Sequence, residues 1–280
     1  MGAKLNIDLY RRAYFYFDEP AEYTIQNKVL KIYPISVKDS EIFLSSMSVI
    51  DIDKNATDSV EIIQMSYLEF IYKCLFNDEL NISRFLNICK YCLHIENPEA
   101  GFDENQKPFL KDKGQDIVIK AKDFDNIRRI ILYQNLINYD DGYINPDLKA
   151  AMDAEDKLKN KNMNMPSLER RMAIITAHCG LSKLEQHKMT FRAHNLLFIE
   201  VCGEVDFITV RPIAMYAGNK IDHWIFAPSK QDKFANYITS ESDMQQKFGG
   251  IENTNAIGNK GQGEHFDSMY NNFNKEEKYG

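Results

Sequence analysis

Two cysteines and a nearby histidine are the first residues of this 280-residue chain whose types and spacing could do chemistry. Cys89-x-x-Cys92 followed by His94 offers two thiolates and an imidazole, which are good zinc ligands. A structural zinc site normally draws a second pair from elsewhere, and the sequence holds no second CxxC. Both cysteines also fall inside an apolar helical pattern, where cysteine acts as a small hydrophobe. Packing is therefore the expected role, and no metal is assigned. A thioredoxin-like redox use needs a βαβ context that the surrounding pattern does not supply.

His178-Cys179, His187 and His194 cluster along the sequence and invite a Cys/His nucleophile pair. His187 and His194 fall on different short helices with a Thr190 cap between them, and no strained strand-to-helix turn presents a nucleophile. Asp140 and Asp141, Asp51 and Asp53, and Glu276 and Glu277 are paired in sequence. None sits in an apolar frame that would raise one pKa and leave its neighbour ionised, as acid/base pairs require. A solvated face accounts for them. GNKGQG at 258–263 follows no strand and opens no helix, so a phosphate-cradling reading has no context. The chain has neither GxxxxGK[ST] nor HExxH. No catalytic residue and no cofactor are assigned, and the expected role is non-enzymatic.

Composition narrows the class. An apolar fraction of 44% and a charged fraction of 27% are ordinary for a globular protein able to bury a sizeable core. A net charge of −7 argues against a general nucleic-acid binder, which needs clustered Lys and Arg. The five cysteines, an odd number set mostly in apolar patterns, read as reduced thiols in a cytosol. No stretch approaches the roughly 18 apolar residues of a membrane span, and the N-terminus reads without an apolar signal region. Met1-Gly2 is set aside as a myristoylation signal because position 6 is Asn6.

The elements that would position these residues follow from periodicity and punctuation. Residues 10–35 read as extended, with Gln26-Asn27-Lys28 as a hairpin turn and Pro34 ending regular pairing or sitting on an edge. Ser36 with Asp39 opens a short helix through Ile42, Phe43, Met47 and Ile50. Thr57 or Asp58 caps a core helix over SVEIIQMSYLEFIYKCLF, and ELNISRFLNICKYCL forms another. Residues 96–115 read as a polar loop and a boundary. FLKDKGQDIVIKA is a hairpin, and Asp123 caps a helix after it. Asn145-Pro146 starts an exposed charged helix. Pro166-Ser167 opens SLERRMAIITAHC, with Gly180 as its left-handed end. Ser182 with Glu185 forms a capping box, Thr190 caps FRAHNLLFIEVC, and FITVRPIAMYA is kinked or extended at Pro212. The three-helix run around Gly180 is similar in outline to a helix-turn-helix. Its third helix is too apolar for a recognition helix, so no nucleic-acid role follows.

The expected fold is α+β and mainly α: a small N-terminal β element, a helical core and a flexible C-terminal tail. The divisions are 1–96, 97–165, 166–227 and a tail at 228–280. That tail is rich in Gly and Asn and poor in aliphatics, too poor to offset its ordering entropy. Its singly spaced aromatics read as a disordered segment or as one that folds on a partner.

Three stretches carry a family resemblance. They are KIYPISVKDSEIFLSSMSVIDIDKN with IIQMSYLEFIY; FDNIRRIILYQN with YINPDLKAAMDAEDKLKNK and PSLERRMAIITAHCGLSK; and MTFRAHNLLFIEV running to IDHWIF. Together, over about residues 25–227, they resemble tail-morphogenesis proteins of low-GC tailed phages and contractile-tail prophages. GLSKLEQHKMTFRAH is similar to the C-terminal part of tail assembly chaperones, in which a G-[LIM]-S turn precedes a short helix and a Met-Thr-aromatic helix start. The resemblance implies a chaperone that binds apolar helical segments of the tape measure protein, forms homo-oligomers or joins a larger assembly, and works in the host cytoplasm. It implies no membrane and no nucleic-acid partner. The alternative it leaves open is a structural virion subunit of baseplate, neck or tail. Helix-in-groove recognition would fall to Met189, Phe191, Leu196, Leu197 and Phe198.

Overall fold

The N-terminus is helical where extended backbone is expected. In the computed structural model, which describes residues 5–54, 57, 59–142, 148, 151–152, 154–155 and 166–217, helix α1 spans Ile7–Ala13. Asn6 caps it, its side chain accepting from the N–H groups of Asp8 at 3.1 Å and Leu9 at 3.3 Å. Asp8 in the first turn and Arg11 and Arg12 in the last complement the helix dipole. The cap and these charges outweigh the strand preference of Tyr10 and Tyr14. Those rings pack on each other at 5.7 Å, and a 3-10 turn covers Phe15–Phe17.

The first hairpin falls at the expected turn. Strands β1 (Ala21–Ile25) and β2 (Lys28–Ile32) are antiparallel, with Ile25 opposite Lys28. Gln26 and Asn27 both take positive φ, 49° and 67°, the backbone that a two-residue hairpin needs to match strand twist. Ala21, Ile25, Leu30 and Ile32 face the core. The chain then runs extended from Tyr33 to Ser36, a 3-10 turn covers Val37–Asp39, and helix α2 covers Ser40–Ser46.

The apolar run from residue 59 is broken, not one helix. Helix α3 spans Val60–Gln64 with Ser59 as its cap, and α4 spans Tyr67–Phe70 with Ser66 as its cap. A π-helical turn, Ile71–Leu75, continues α4. Ser66 competes with the helix by accepting from Glu69 N–H at 3.1 Å. The groups freed at the break find long-range partners: Tyr67 N–H donates to Asp125 Oδ1 at 3.1 Å, and Lys54 Nζ donates to Met65 O. Helix α5 spans Glu79–Leu93 and buries Phe85, Ile88, Cys89, Cys92 and Leu93. Leu86, next to Phe85 on the same helix, is exposed.

The expected polar loop at 96–115 instead begins a three-stranded antiparallel sheet. Strand β3 (Pro98–Phe102) pairs with β4 (Pro108–Asp112), and β4 pairs with β5 (Ile117–Lys120). Only β4 and β5 carry a readable alternation; β3, PEAGF, is held by its partner and by Phe102 against Tyr72 at 5.9 Å. Helix α6 (Ala121–Asn135) follows β5 directly, three residues earlier than an Asp123 cap would place it. Its second half is buried nearly all round, including Ile127, Arg128, Ile130, Ile131, Leu132, Gln134 and Asn135. A buried cluster runs from Ile7 to Phe191 and is centred on α6, so 96/97 separates no cores. Each fully buried Phe or Ile in it contributes about 1.5–3 kcal/mol.

Three helices close the described chain: α7 (Leu168–Cys179), α8 (Lys183–Lys188) and α9 (Phe191–Tyr216). Ser167, the Ser182/Glu185 capping box and Thr190 start them as expected, and Gly180 ends α7 at φ 70°. Helix α9 continues through Pro212, so of the two readings at that proline the helical one holds and the extended one does not. The helix start at Asn145-Pro146 lies outside the described residues, as do most of the charged helix after it and the whole tail at 228–280.

Asn135 gives a direct test of how this core is held. Its side chain is fully buried, accepts from Ile35 N–H at 2.8 Å and donates to Ile131 O at 2.9 Å. Asn135→Ala leaves the buried Ile35 donor without its acceptor and should lower unfolding free energy by about 1–3 kcal/mol in urea titration. A loss under about 0.5 kcal/mol would show that the donor finds another acceptor.

Candidate functional site

The sequence-predicted chemistry disperses in three dimensions. Cys89 and Cys92 are both buried in α5, where burial pushes the Cys89 thiol up to about 12 and raises Cys92 further. Both stay protonated and pack as hydrophobes. His94 sits one residue past the helix, in left-handed backbone, and its ring stacks on Tyr33 at 3.7 Å with an 11° interplanar angle. His178, Cys179 and His187 are exposed, while His194 is fully buried. Among the described residues, no group of three or more His, Cys, Asp or Glu could hold a metal ion.

The paired carboxylates serve local structure. Asp141 accepts from Arg129 Nε and from Tyr133 Oη at 2.7 Å, and Asp140 accepts from Gly142 N–H at 2.9 Å. Glu276, Glu277 and the glycine-rich 258–263 stretch lie outside the described residues.

The expected partner-binding residues divide by burial. Phe191 and Phe198 are 4% and 7% exposed and belong to the interior. Met189 and Leu197 are half-buried, and Leu196 is exposed. The structure brings Phe191 and Phe198 together with His194 and Val201 as the buried stripe of α9, with Leu196 outside that stripe.

Sequence reasoning did not anticipate the density of buried polar groups. Arg128, 3% exposed, donates to Ile50 O and Ile52 O, and its guanidinium lies 3.7 Å over the Tyr67 ring. Lys54 Nζ is 4.5 Å from the same ring centroid. Burial pushes the neighbouring Asp125 carboxyl up and the Lys54 amine down. Each of these groups has a backbone partner, so this cluster fastens residues 50–54 and the α3–α4 break to α6.

A second polar group joins α7, α8 and α9. Gln186 is fully buried, with Nε2 2.9 Å from Thr176 Oγ1 and 3.0 Å from Leu181 O. Its Oε1 lies 3.3 Å from His194 Nε2, and among the described residues His194 Nδ1 has no partner. Arg171, on the buried face of α7, donates from Nη1 to Asn195 Oδ1 at 2.5 Å, while its buried Nε has no partner among the described residues. Arg171 and Asn195 border a cleft of about 520 Å³. The facing wall is formed by Leu44 of α2, by Asp51 and by residues 135–139 after α6. Another cleft, of about 570 Å³, lies at the end of α5 between Tyr33, Lys90 and His94. There Ser36 Oγ already donates to Asp39 at 2.7 Å. The only advance signal for Arg171 is its spacing of four from Ile175, which places both on one helical face.

Burial, with the positive charge of Arg171 beside it, lowers the His194 pKa. The folded chain therefore binds fewer protons than the unfolded chain, where histidine titrates near about 6.5. This contribution to stability is present above that value and is lost as pH falls below it. The melting temperature should drop between pH 7.5 and 5.5 more steeply for the wild type than for His194→Gln. Equal slopes would show that His194 protonates without cost.

Among the described residues, no helix is long and apolar enough to cross a membrane. Comparison with protein-family models, with curated proteins and with solved structures finds no match.

Proposed function

We propose that this chain is a non-enzymatic binding protein for apolar helical segments, acting in the host cytoplasm as an assembly chaperone for the tape measure protein of a phage-type tail. One observation carries the binding part of this reading. After Val201, α9 runs on for 15 residues to Tyr216 without a buried side chain. At 1.5 Å per residue that is roughly 22 Å of helix. Along it Ile208 is 60% exposed, Ile213 70%, Met215 66% and Tyr216 95%. A helix that is apolar on several sides normally lies inside a protein, and exposed apolar surface of this extent marks an interaction site. An amphipathic partner helix would supply the missing contacts. The tail-specific part rests on the GLSKLEQHKMTFRAH resemblance, and homo-oligomer formation would use the same surface.

The test is co-expression with the tape measure protein of the same tail gene cluster, reading the soluble tape measure fraction. Ile208→Lys combined with Ile213→Lys leaves the buried core untouched and should weaken the complex by about tenfold or more, equivalent to about 1.4 kcal/mol or more. Unchanged solubility and affinity would sink the α9 surface as the binding site. Copy counting in mature particles separates the roles: a chaperone is nearly absent there, whereas a fixed copy number would make the chain a virion subunit.

A further inference from the structure

The cleft beside Arg171 carries an inference independent of the tape measure reading. We propose that it binds a monoanionic carboxylate carried on a short apolar body.

The charge is the first reason. Arg171 is only 8% exposed, and among the described residues no carboxylate pairs with it. Among the described residues its one side-chain hydrogen bond goes to the neutral Asn195 side chain, and its Nε is buried with nothing to donate to. A buried guanidinium is held in folded proteins by a counter-charge or by saturated hydrogen bonding, because an uncompensated ion in a low-dielectric interior is strongly disfavoured. Arg171 has neither, yet it borders open space.

The donor geometry is the second. Asn195 turns its carbonyl oxygen towards Arg171, which leaves its amide N–H₂ as a further donor at the same wall. A guanidinium beside an amide donor suits a planar carboxylate. Asn135, on the opposite wall, already uses Oδ1 on Ile35 and Nδ2 on Ile131, so it shapes the cleft without offering a ligand contact.

The rest of the lining sets the body of the ligand. Leu44, Leu136, Phe191 and Ile199 make the walls apolar, and a cleft of about 520 Å³ takes a chain of several carbons. Asp51 is exposed at the same cleft and is the one acidic side chain among its described lining residues. Its charge disfavours a dianion such as phosphate and leaves a monoanion as the favoured class.

Isothermal titration of the full chain with octanoate tests this, with octanamide as the neutral isostere and inorganic phosphate as the polar anion. Octanoate should bind at least tenfold more tightly than either. Arg171→Met keeps the unbranched stem as far as the Nε position and removes the charged end. It should lose octanoate binding by at least tenfold while melting no lower than the wild type, because an uncompensated buried ion is gone. Ile199→Glu, at a site 46% exposed, places a carboxylate at the cleft and should abolish octanoate binding even if Arg171→Met fails to fold. A soluble helical peptide with one glutamate among leucines separates the two sources of such a carboxylate. Tighter binding of the peptide assigns the site to an acidic side chain of a protein segment, and tighter binding of octanoate assigns it to a free organic acid. No binding of octanoate or peptide at millimolar concentration, or equal octanoate binding by both variants and the wild type, overturns the proposal.

Discussion

Five consecutive residues, Tyr33 to Val37, hold the separate parts of this protein together. Tyr33 N–H donates to Cys92 O at the end of α5 at 2.8 Å. Ile35 N–H donates to the buried Asn135 side chain at the end of α6 at 2.8 Å. Ile35 O accepts from Phe191 N–H at 2.7 Å, and Val37 N–H donates to Met189 O at 2.9 Å, across an isolated bridge between Ser36 and Thr190. Pro34 has no N–H and leaves no donor to satisfy. One short stretch thereby fixes the ends of α5 and α6 and the start of α9. Each bond contributes only about 0.5–1.5 kcal/mol net, but an unmade bond in this buried place costs more than a made one contributes.

That constraint explains why the C-terminal helices sit where the cleft needs them. The α8–α9 junction is anchored twice on Ile35 and Val37, and Thr190 is fixed further by donating to Asp18 at 2.6 Å while capping Ala193 N–H. Arg192 donates to Tyr133 O and Leu136 O just beyond the end of α6. With its first turn immobilised, α9 presents Phe191, Asn195 and Ile199 to the 135–139 segment at fixed spacing. The cleft is thus a consequence of the anchor, and Arg171 reaches it because Asn195 lies one helical turn after Phe191.

The parts legible in sequence are those decided by neighbours in sequence. Ser167, Ser182 with Glu185, Thr190 and Gly180 act through bonds within four residues, and the Gln26-Asn27 turn needs only its own positive φ. The mainly helical α+β class follows from them. What could not be read depends on distant partners. The break at Met65–Ser66 is tolerable because Lys54 and Asp125 take up the freed backbone groups, and β3 exists because β4 lies beside it. The aromatic run after Asn6 reads as a strand, and only its capped helix shows otherwise. Arg171 gave no signal beyond its helical phase, since adjacent Arg170 is the same residue type with the opposite fate.

The two halves of α9 meet opposite conditions with similar composition. Phe191, His194, Phe198 and Val201 repeat at three- and four-residue spacing and bury one stripe, so the first half is an ordinary core helix. Past Val201 apolar residues spread round the helix, no stripe dominates, and the anchor no longer reaches them. Helix propensity alone does not favour this segment, since valine, isoleucine and threonine are mediocre formers and Pro212 removes a backbone donor. The first half therefore acts as a nucleus from which the second half propagates, because adding a residue to an existing helix is far easier than starting one. An apolar helix extended from a rigid anchor in this way presents its surface at low ordering cost to whatever covers it. Its position is set by the same Ile35–Phe191 bond that sets the cleft.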